Sequence, residues 1–556
     1  MSVRSGCKLT LIAGLAFCFA CGGPSPRSDS PEAAKLDGLP PTLSHTQYDP
    51  PIEISFVRET GDDVERMLAE LPGETLEDNR WTRLYERELG IRTRYEWTAK
   101  GDVYSQKLGV SLASGRIPDV VQVDPYQLRL LANAGLIEDM TEIYEECASP
   151  LTQDILSAEG SGPFDAATVD GRLMAVPESV SSIESAQYLW IRTDWLKRLG
   201  LPAPRTLEDV LVISKALTEK DPDQNGVDDT YGLGLTGYLW NPVMSASGLM
   251  AGFGAFPTQW VEGEEGQLVY GGILPETREA LQELQRMYQS GQIDPDFGYK
   301  SGSQMTRLIA QGKIGMLYGE QWTPFAIQQS RERDPEADWQ AYPLLAKSGE
   351  KIRVPLRAGT GSLLAVRKGY DHPEALIQMM NLHLEKNWGE QADYETYYND
   401  DSKAVWMLSP VTPFPGTKNL DAYLDIRDAR RTGDFPSLKG EAAAIHKRIE
   451  AYDRHGTESG WGWEKIYGPD GAFSIADEYA RSGSFVPDRF AGGITETMIE
   501  RHNILRDLQL EAYMNIILGE PIEQFDQFVR DWRMLGGDQI TAEVNLWNSS
   551  KPSDAP

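Results

Sequence analysis

Short apolar runs of strand character alternate along this chain with amphipathic stretches of helical period, and that alternation restricts the fold more than any other feature. Ile52-Glu-Ile-Ser-Phe-Val57 reads as an alternating strand, and Ile91–Trp97 as a second. Between them the segment around Asp78–Leu89 is helical, with Trp81 and Leu84 facing inward. A helix over Tyr104–Ala113 leads to a further strand within Gly115–Asp124. Such a pattern predicts an α/β sheet, in which ligands gather at the carboxyl ends of strands. Asp124 and Tyr126, in the loop after that strand, are therefore candidate site residues. At 556 residues the chain is too long for one core, so two or three domains or lobes are expected.

The pattern continues with a possible joint. Leu173–Glu178 is apolar, Ser179–Ser185 is rich in small residues, and Tyr188–Trp195 is apolar again. Small residues permit the dihedral changes of a hinge, so this reads as an inter-lobe crossover. Val354–Gly361 reads as the return crossover, and Leu363–Val366 as a strand of the first lobe. Thr206 caps a helix whose buried face carries Leu207, Val210, Leu211 and Leu217. The strand Gly312–Gly319 ends by presenting Glu320, Gln321 and Trp322. Tyr238, Trp240, Phe253, Phe256 and Trp260 lie among glycines, so some of them are expected to line a cavity. Gly460-Trp-Gly-Trp463 is too glycine-rich for a helix and too aromatic for a solvated loop. His383 reads as a core residue, and the chain ends in two amphipathic helices, one with Phe525, Phe528, Val529 and Trp532 at i, i+3, i+4 and i+7.

Asp221-Pro-Asp-Gln-Asn-Gly-Val-Asp-Asp-Thr-Tyr-Gly232 carries oxygen side chains at every second position. Asp221, Asp223, Asn225 and Asp229, with the backbone carbonyl of Val227, match the spacing by which a wound loop offers about six oxygens to Ca²⁺. Gly226 takes the sharp turn. The twelfth position is Gly232 in place of the closing Glu of an EF-hand, and Asp228 is the nearest spare carboxylate. A structural Ca²⁺ is expected; the alternative is a polar surface turn.

A formal charge of −31 argues against nucleic-acid binding. Arg4 and Lys8 precede a short apolar run, Leu9–Ala20, and then Cys21, in the manner of an exported lipoprotein; an ordinary secretory peptide is the alternative. Residues 1–20 would then be the signal, Cys21 the lipidated residue and 21–50 a flexible tether. No later segment has the length of a membrane span, and Cys147 is left without an internal disulfide partner. The spacings of zincins, serine hydrolases, P-loops and paired cysteines are all absent. Two cleft carboxylates acting on a glycoside remain open, because 84 acidic residues guarantee chance pairs.

Several stretches are similar to the extracellular solute-binding proteins of carbohydrate ABC importers: Gly115-Arg-Ile-Pro-Asp119, Trp190-Ile-Arg-Thr-Asp-Trp-Leu196, Pro373-Glu-Ala-Leu376 and the ending from Ile516 to Asn545. The chain most resembles the large family 1 branch related to alginate-oligosaccharide-binding proteins. That resemblance implies a two-lobed, type II periplasmic-binding-protein-like α/β fold with crossover hinges. It assigns 51–180 plus 359–405 to one lobe and 181–358 plus 406–550 to the other. It also implies a calcium loop at Asp221, Asp223, Asn225, Val227 and Asp229, with Thr230 standing where the branch usually has an acid. An oligosaccharide would be held in the cleft and delivered to an ABC permease by a monomer held outside the cytoplasm through its lipid. Sugar rings stack on aromatic planes and their hydroxyls bond to planar polar groups. The aromatic candidates are Trp322, then Trp461, Trp240 and Tyr126, with Trp463 and Trp406; the polar candidates are Asp124, Glu178 and Arg357. A secreted glycosidase or lyase, or a structural lipoprotein, are the other readings.

Overall fold

The computed structural model describes residues 47–178, 181–357, 361–400, 403–456 and 458–550. The expected signal peptide, Cys21 and most of the tether lie outside the described residues, as do 179–180 and 358–360 of the two expected crossovers.

Two sheets organise the chain. The first has five strands in the order Ile91–Ala99, Ile52–Glu59, Val120–Val123, Leu363–Val366, Val176–Pro177. The first three are parallel, and Leu363–Val366 enters antiparallel to Val120–Val123. The second has four strands in the order Trp339–Tyr342, Tyr188–Arg192, Ile314–Gly319, Tyr231–Gly234, of which the last two are parallel. Helices pack around both sheets, the arrangement that buries strands on two faces.

Each sheet has its own core. Ile54, Trp81, Leu84, Val121, Leu364 and Leu376 belong to one cluster, which also takes in Val405, Leu408 and Val411. Trp190, Trp195, Leu217, Met316, Trp339 and Trp461 belong to the other. The chain passes from one core to the other after Val176, returns between Leu356 and Leu363, and crosses again between Val411 and Leu420.

Local chemistry explains where the elements differ from the sequence pattern. Ile52–Glu59 does not alternate: Ile54 to Val57 are all buried. Ser55 is tolerated inside because its N–H and hydroxyl donate to Asp119 Oδ2 at 2.9 and 2.7 Å, and Arg367 pairs with the same carboxylate at 2.6 Å. The run Tyr188–Trp195 is strand only to Arg192 and then turns into the helix Thr193–Leu199. Arg192 makes two hydrogen bonds to Asp194 and lies 4.5 Å over the Trp195 ring, which closes that corner. Three helices end the chain where two were expected: Glu496–Ile517, Gln524–Trp532 and Asp538–Ser550. His383 is buried in the first core, stacked 4.4 Å from Trp81, and burial holds its pKa down at about 3.

Candidate ligand-binding cleft

The segments that run between the cores meet at Glu178. Its carboxylate is 3% exposed and accepts from Gln122 Nε2 (2.9 Å), the Ser362 hydroxyl (2.8 Å), and both the N–H and hydroxyl of Thr412 (2.6 and 3.0 Å). Those partners come from the first sheet and from the second and third crossings. Glu178 is therefore engaged by protein on all sides, and its place is a hinge knot. Beside it, Ser181 donates to the Gly416 carbonyl at 2.5 Å, and Ser185 Oγ accepts the Arg357 N–H at 2.9 Å.

The end of strand Ile314–Gly319 builds an aromatic corner. Trp322 is half-buried at the start of helix Thr323–Arg333. Phe325, one turn on, stacks on it at 6.0 Å, and Trp463 meets both rings edge-on at 6.4 and 5.2 Å. Arg448 lies 4.4 Å over the Trp463 face. Trp463 comes from a helix, Glu458–Tyr467, although its glycines argue against one. A Cβ on Gly460 would meet Tyr452 Cβ at 2.5 Å, and one on Gly462 would meet Phe325 at 2.7 Å. The glycines are thus what lets this helix approach its neighbours closely. Trp461, two residues earlier, turns the other way and is fully buried in the second core.

Carboxylates lie under this corner. The Gln321 amide, with its oxygen toward Trp322 Nε1 (2.8 Å), turns its nitrogen to the Glu184 carbonyl (2.8 Å). Glu184 accepts from Asn419, and burial pushes its carboxyl above the ordinary range although Lys418 pulls the other way. Glu320 pairs with Arg357 at 2.5 Å. Burial pushes Glu320 up to about 7; Arg357 opposes that shift and Glu184 adds to it. Glu184 and Phe325 have no local sequence signal, the one a lone Glu in a small-residue joint and the other a Phe inside a helix.

Glu320 and Arg357 line a cavity with Trp240, Tyr238, Gln187 and Gln259. Trp240 is half-buried, edge-on to Tyr513, while Tyr238 is exposed. Asp124 and Tyr126 sit on the first lobe. Asp124 caps the helix Pro125–Asn133 by accepting the Gln127 N–H at 2.7 Å, and lines a separate recess with Glu59, Tyr104 and Gln122. Its charge nevertheless reaches the second lobe: Asp124 works to raise His502, against burial, which wins and lowers it. Trp406 stacks on Tyr398 at 6.0 Å beside the first core. The fold thus gathers Trp322 with Trp463, and Trp240 with Arg357. It sets Asp124 and Tyr126 on the other lobe and buries Trp461 and Glu178.

The loop after helix Leu207–Glu219 carries the residues expected to bind a metal, tied to one another by hydrogen bonds, and among the described residues no three His, Cys, Asp or Glu side chains are grouped to hold an ion. Asp221 accepts the N–H groups of Asn225 and Gly226 at 3.0 Å each, and Asn225 Nδ2 bridges Asp223 (2.7 Å) and Asp229 (3.2 Å). Burial and the adjoining Asp221 carboxylate push Asp223 up, and Asp223 Oδ1 is buried without a hydrogen-bond partner among the described residues. An orphaned carboxylate oxygen beside a second carboxylate fits a cation. Two features narrow the donor set. Thr230 is buried and donates to the Leu217 carbonyl at 2.8 Å, and Gly232 is packed against Ser214 with no room for a side chain. Lys313, just before strand Ile314–Gly319, reaches Asp229 and lies 4.0 Å from Asp223. Asp228 is exposed.

The profile of the bacterial extracellular solute-binding proteins matches residues 69–384. The chain belongs to that family. This solute-binding protein is 24% identical over 485 residues to Lipoprotein LipO of Bacillus subtilis (strain 168), covering 84% of this chain and 88% of LipO. Its fold is similar to that of the S. pneumoniae substrate-binding protein FusA in complex with kestose, with a TM-score of 0.58 at 15% identity over 90% of this chain and 100% of FusA. It is likewise similar to the alginate-binding protein AlgQ2 without calcium ion, with a TM-score of 0.57 at 14% identity over 90% of this chain and 98% of AlgQ2. The two-lobed solute-binding fold follows. Membership favours a binding role over the polysaccharide-degrading alternative. No helix among the described residues is long and apolar enough to cross a membrane.

Proposed function

We propose that this protein is a non-enzymatic receptor that holds an oligosaccharide between its lobes and presents it to the permease of an ABC importer. The observation that carries this reading is the corner of Trp322, Phe325 and Trp463 beside Glu184 and the Glu320–Arg357 pair, at the carboxyl end of a strand and next to the hinge. Apolar ring faces next to planar polar groups match the two surfaces of a sugar. Trp240 extends the corner on the same lobe, and Asp124 and Tyr126 supply the opposing wall. In this reading one lobe comprises 51–180 plus 359–411, running past the expected 405 because Leu408 and Val411 pack in the first core, and the other comprises 181–358 plus 412–550. Cys21 carries the lipid, and the protein works as a monomer outside the cytoplasm.

A Ca²⁺ held by the side chains of Asp221, Asp223, Asn225 and Asp229 and by the Val227 carbonyl would be structural, stiffening the end of helix Leu207–Glu219. What supports the ion is the orphaned Asp223 Oδ1 beside Asp221, and no ligand chemistry would pass through it.

The reading is tested by calorimetry of the mature chain against pooled oligosaccharides, with a parallel assay for new reducing ends. Saturable binding with no turnover is expected. Turnover would make the protein an enzyme, and the absence of binding to every pool would remove the receptor role.

A further inference from the structure

We infer that the cleft selects an uncharged oligosaccharide and rejects uronate-bearing ones. This rests on the receptor reading above and concerns the same site.

The first argument is the sign of the hydrogen-bonding groups left over. Gln187 and Gln259 both line the cavity of Trp240 and Arg357, and they are 6% and 3% exposed. The side-chain carbonyl oxygen of each is without a hydrogen-bond partner among the described residues. For Gln259 the orientation is fixed, because its Nε2 donates to the Leu356 carbonyl at 2.6 Å and leaves Oε1 as the free end. Acceptors left without donors beside a cavity are matched by a ligand that brings donors. A sugar hydroxyl does so on a neutral or an acidic ring, but the ionised carboxylate that replaces one hydroxymethyl group of a uronate only accepts, so each such exchange removes a donor.

The second argument is the state of the cations. Arg357 is the cation lining this cavity, and its guanidinium contacts Glu320 at 2.5 Å; in the neighbouring corner Arg448 lies over the Trp463 face and Lys418 is paired with Glu441 at 3.4 Å. The adjoining recess, which shares Tyr238 and Trp240, contains Arg506, His502 and Asp488. Arg506 is paired with Asp507 at 3.1 Å, and burial followed by Arg506 itself keeps His502 toward its neutral form. The recess on the first lobe is lined by Glu59 and Asp124 with no cation. A uronate entering between the lobes would face Glu320, Asp124 and Glu59, and would have to share Arg357 with Glu320. Neutral hydroxyls meet no such penalty, and they donate to those same carboxylates.

The test is titration of the full mature protein with two probes of equal length, a neutral fructo- or gluco-oligosaccharide pool and an oligogalacturonate pool, followed by calorimetry and thermal shift. The neutral pool should bind at least tenfold more tightly. Glu320→Gln, which releases Arg357, should improve oligogalacturonate binding by tenfold or more. Oligogalacturonate binding as tight as the neutral pool to the wild type overturns the inference while leaving the receptor reading intact. Unchanged oligogalacturonate affinity in Glu320→Gln overturns the role given to the Glu320–Arg357 pair. Failure of both pools to bind removes the receptor reading and the inference with it.

Discussion

Glu178 Oε1 accepts two hydrogen bonds from Thr412, at 2.6 Å from its N–H and 3.0 Å from its hydroxyl, and so ties the first crossing of the chain to the third. With Gln122 and Ser362 on Oε2, one buried side chain joins segments more than two hundred residues apart. Replacing Glu178 with Ala leaves several buried donors without an acceptor and should cost about 3 kcal/mol in urea unfolding. A loss below about 1 kcal/mol would show that the crossings do not depend on this knot.

Trp322 and Trp461 should separate function from stability. Trp322→Ala removes an aromatic wall from a half-buried corner and is expected to weaken oligosaccharide binding roughly tenfold or more with the fold kept. Trp461→Ala opens a cavity in the second core and is expected to cost about 3–5 kcal/mol. Calorimetry and thermal unfolding of the two variants check this, and the reverse pattern would exchange their roles.

Glu320 should make stability depend on pH. Its carboxyl is pushed up to about 7 in the folded protein, chiefly by burial, so between about pH 4.5 and 7 the unfolded chain binds fewer protons than the folded one. Stability contributed by this group is therefore full at low pH and falls as pH rises through that window. Glu320→Gln cannot ionise and should be less sensitive, gaining on the wild type as pH goes from 5 to 8. Parallel Tm-against-pH curves for the two proteins would contradict this.

Lys313 stands where a cation is wanted. Its ammonium contacts Asp229 and lies 4.0 Å from Asp223, so it offsets part of the repulsion in the loop before any ion arrives. Lys313→Met should lower Tm in chelator, and Ca²⁺ should then raise Tm by more than it raises that of the wild type. Thermal scans of both proteins with and without Ca²⁺ check this; no response in either would remove the calcium reading.

Much of the architecture was legible because it depends on local chemistry. Thr206 caps its helix through a hydroxyl that accepts the Asp209 N–H at 3.2 Å, and Leu207, Val210 and Leu217 line its buried face. The strand leading to Trp322 is buried throughout, as its unbroken apolar run requires. What could not be read depends on distant partners. Gly460 and Gly462 weaken a helix when taken alone, and only the nearness of Tyr452 and Phe325 shows why a helix there needs them. Glu178 has the composition of a ligand-binding residue, but Thr412, Ser362 and Gln122 reach it from far along the chain.

The opposite orientations of Trp461 and Trp463 on one helix have a practical consequence. One indole is sealed in the core, and the other borders Trp322 and Phe325 where a guest would rest. Fluorescence emission from this protein should therefore contain an invariant component and a responsive one, so the molecule carries its own optical calibration. Quencher accessible from solvent would silence the second population first, and a bound guest would shield it.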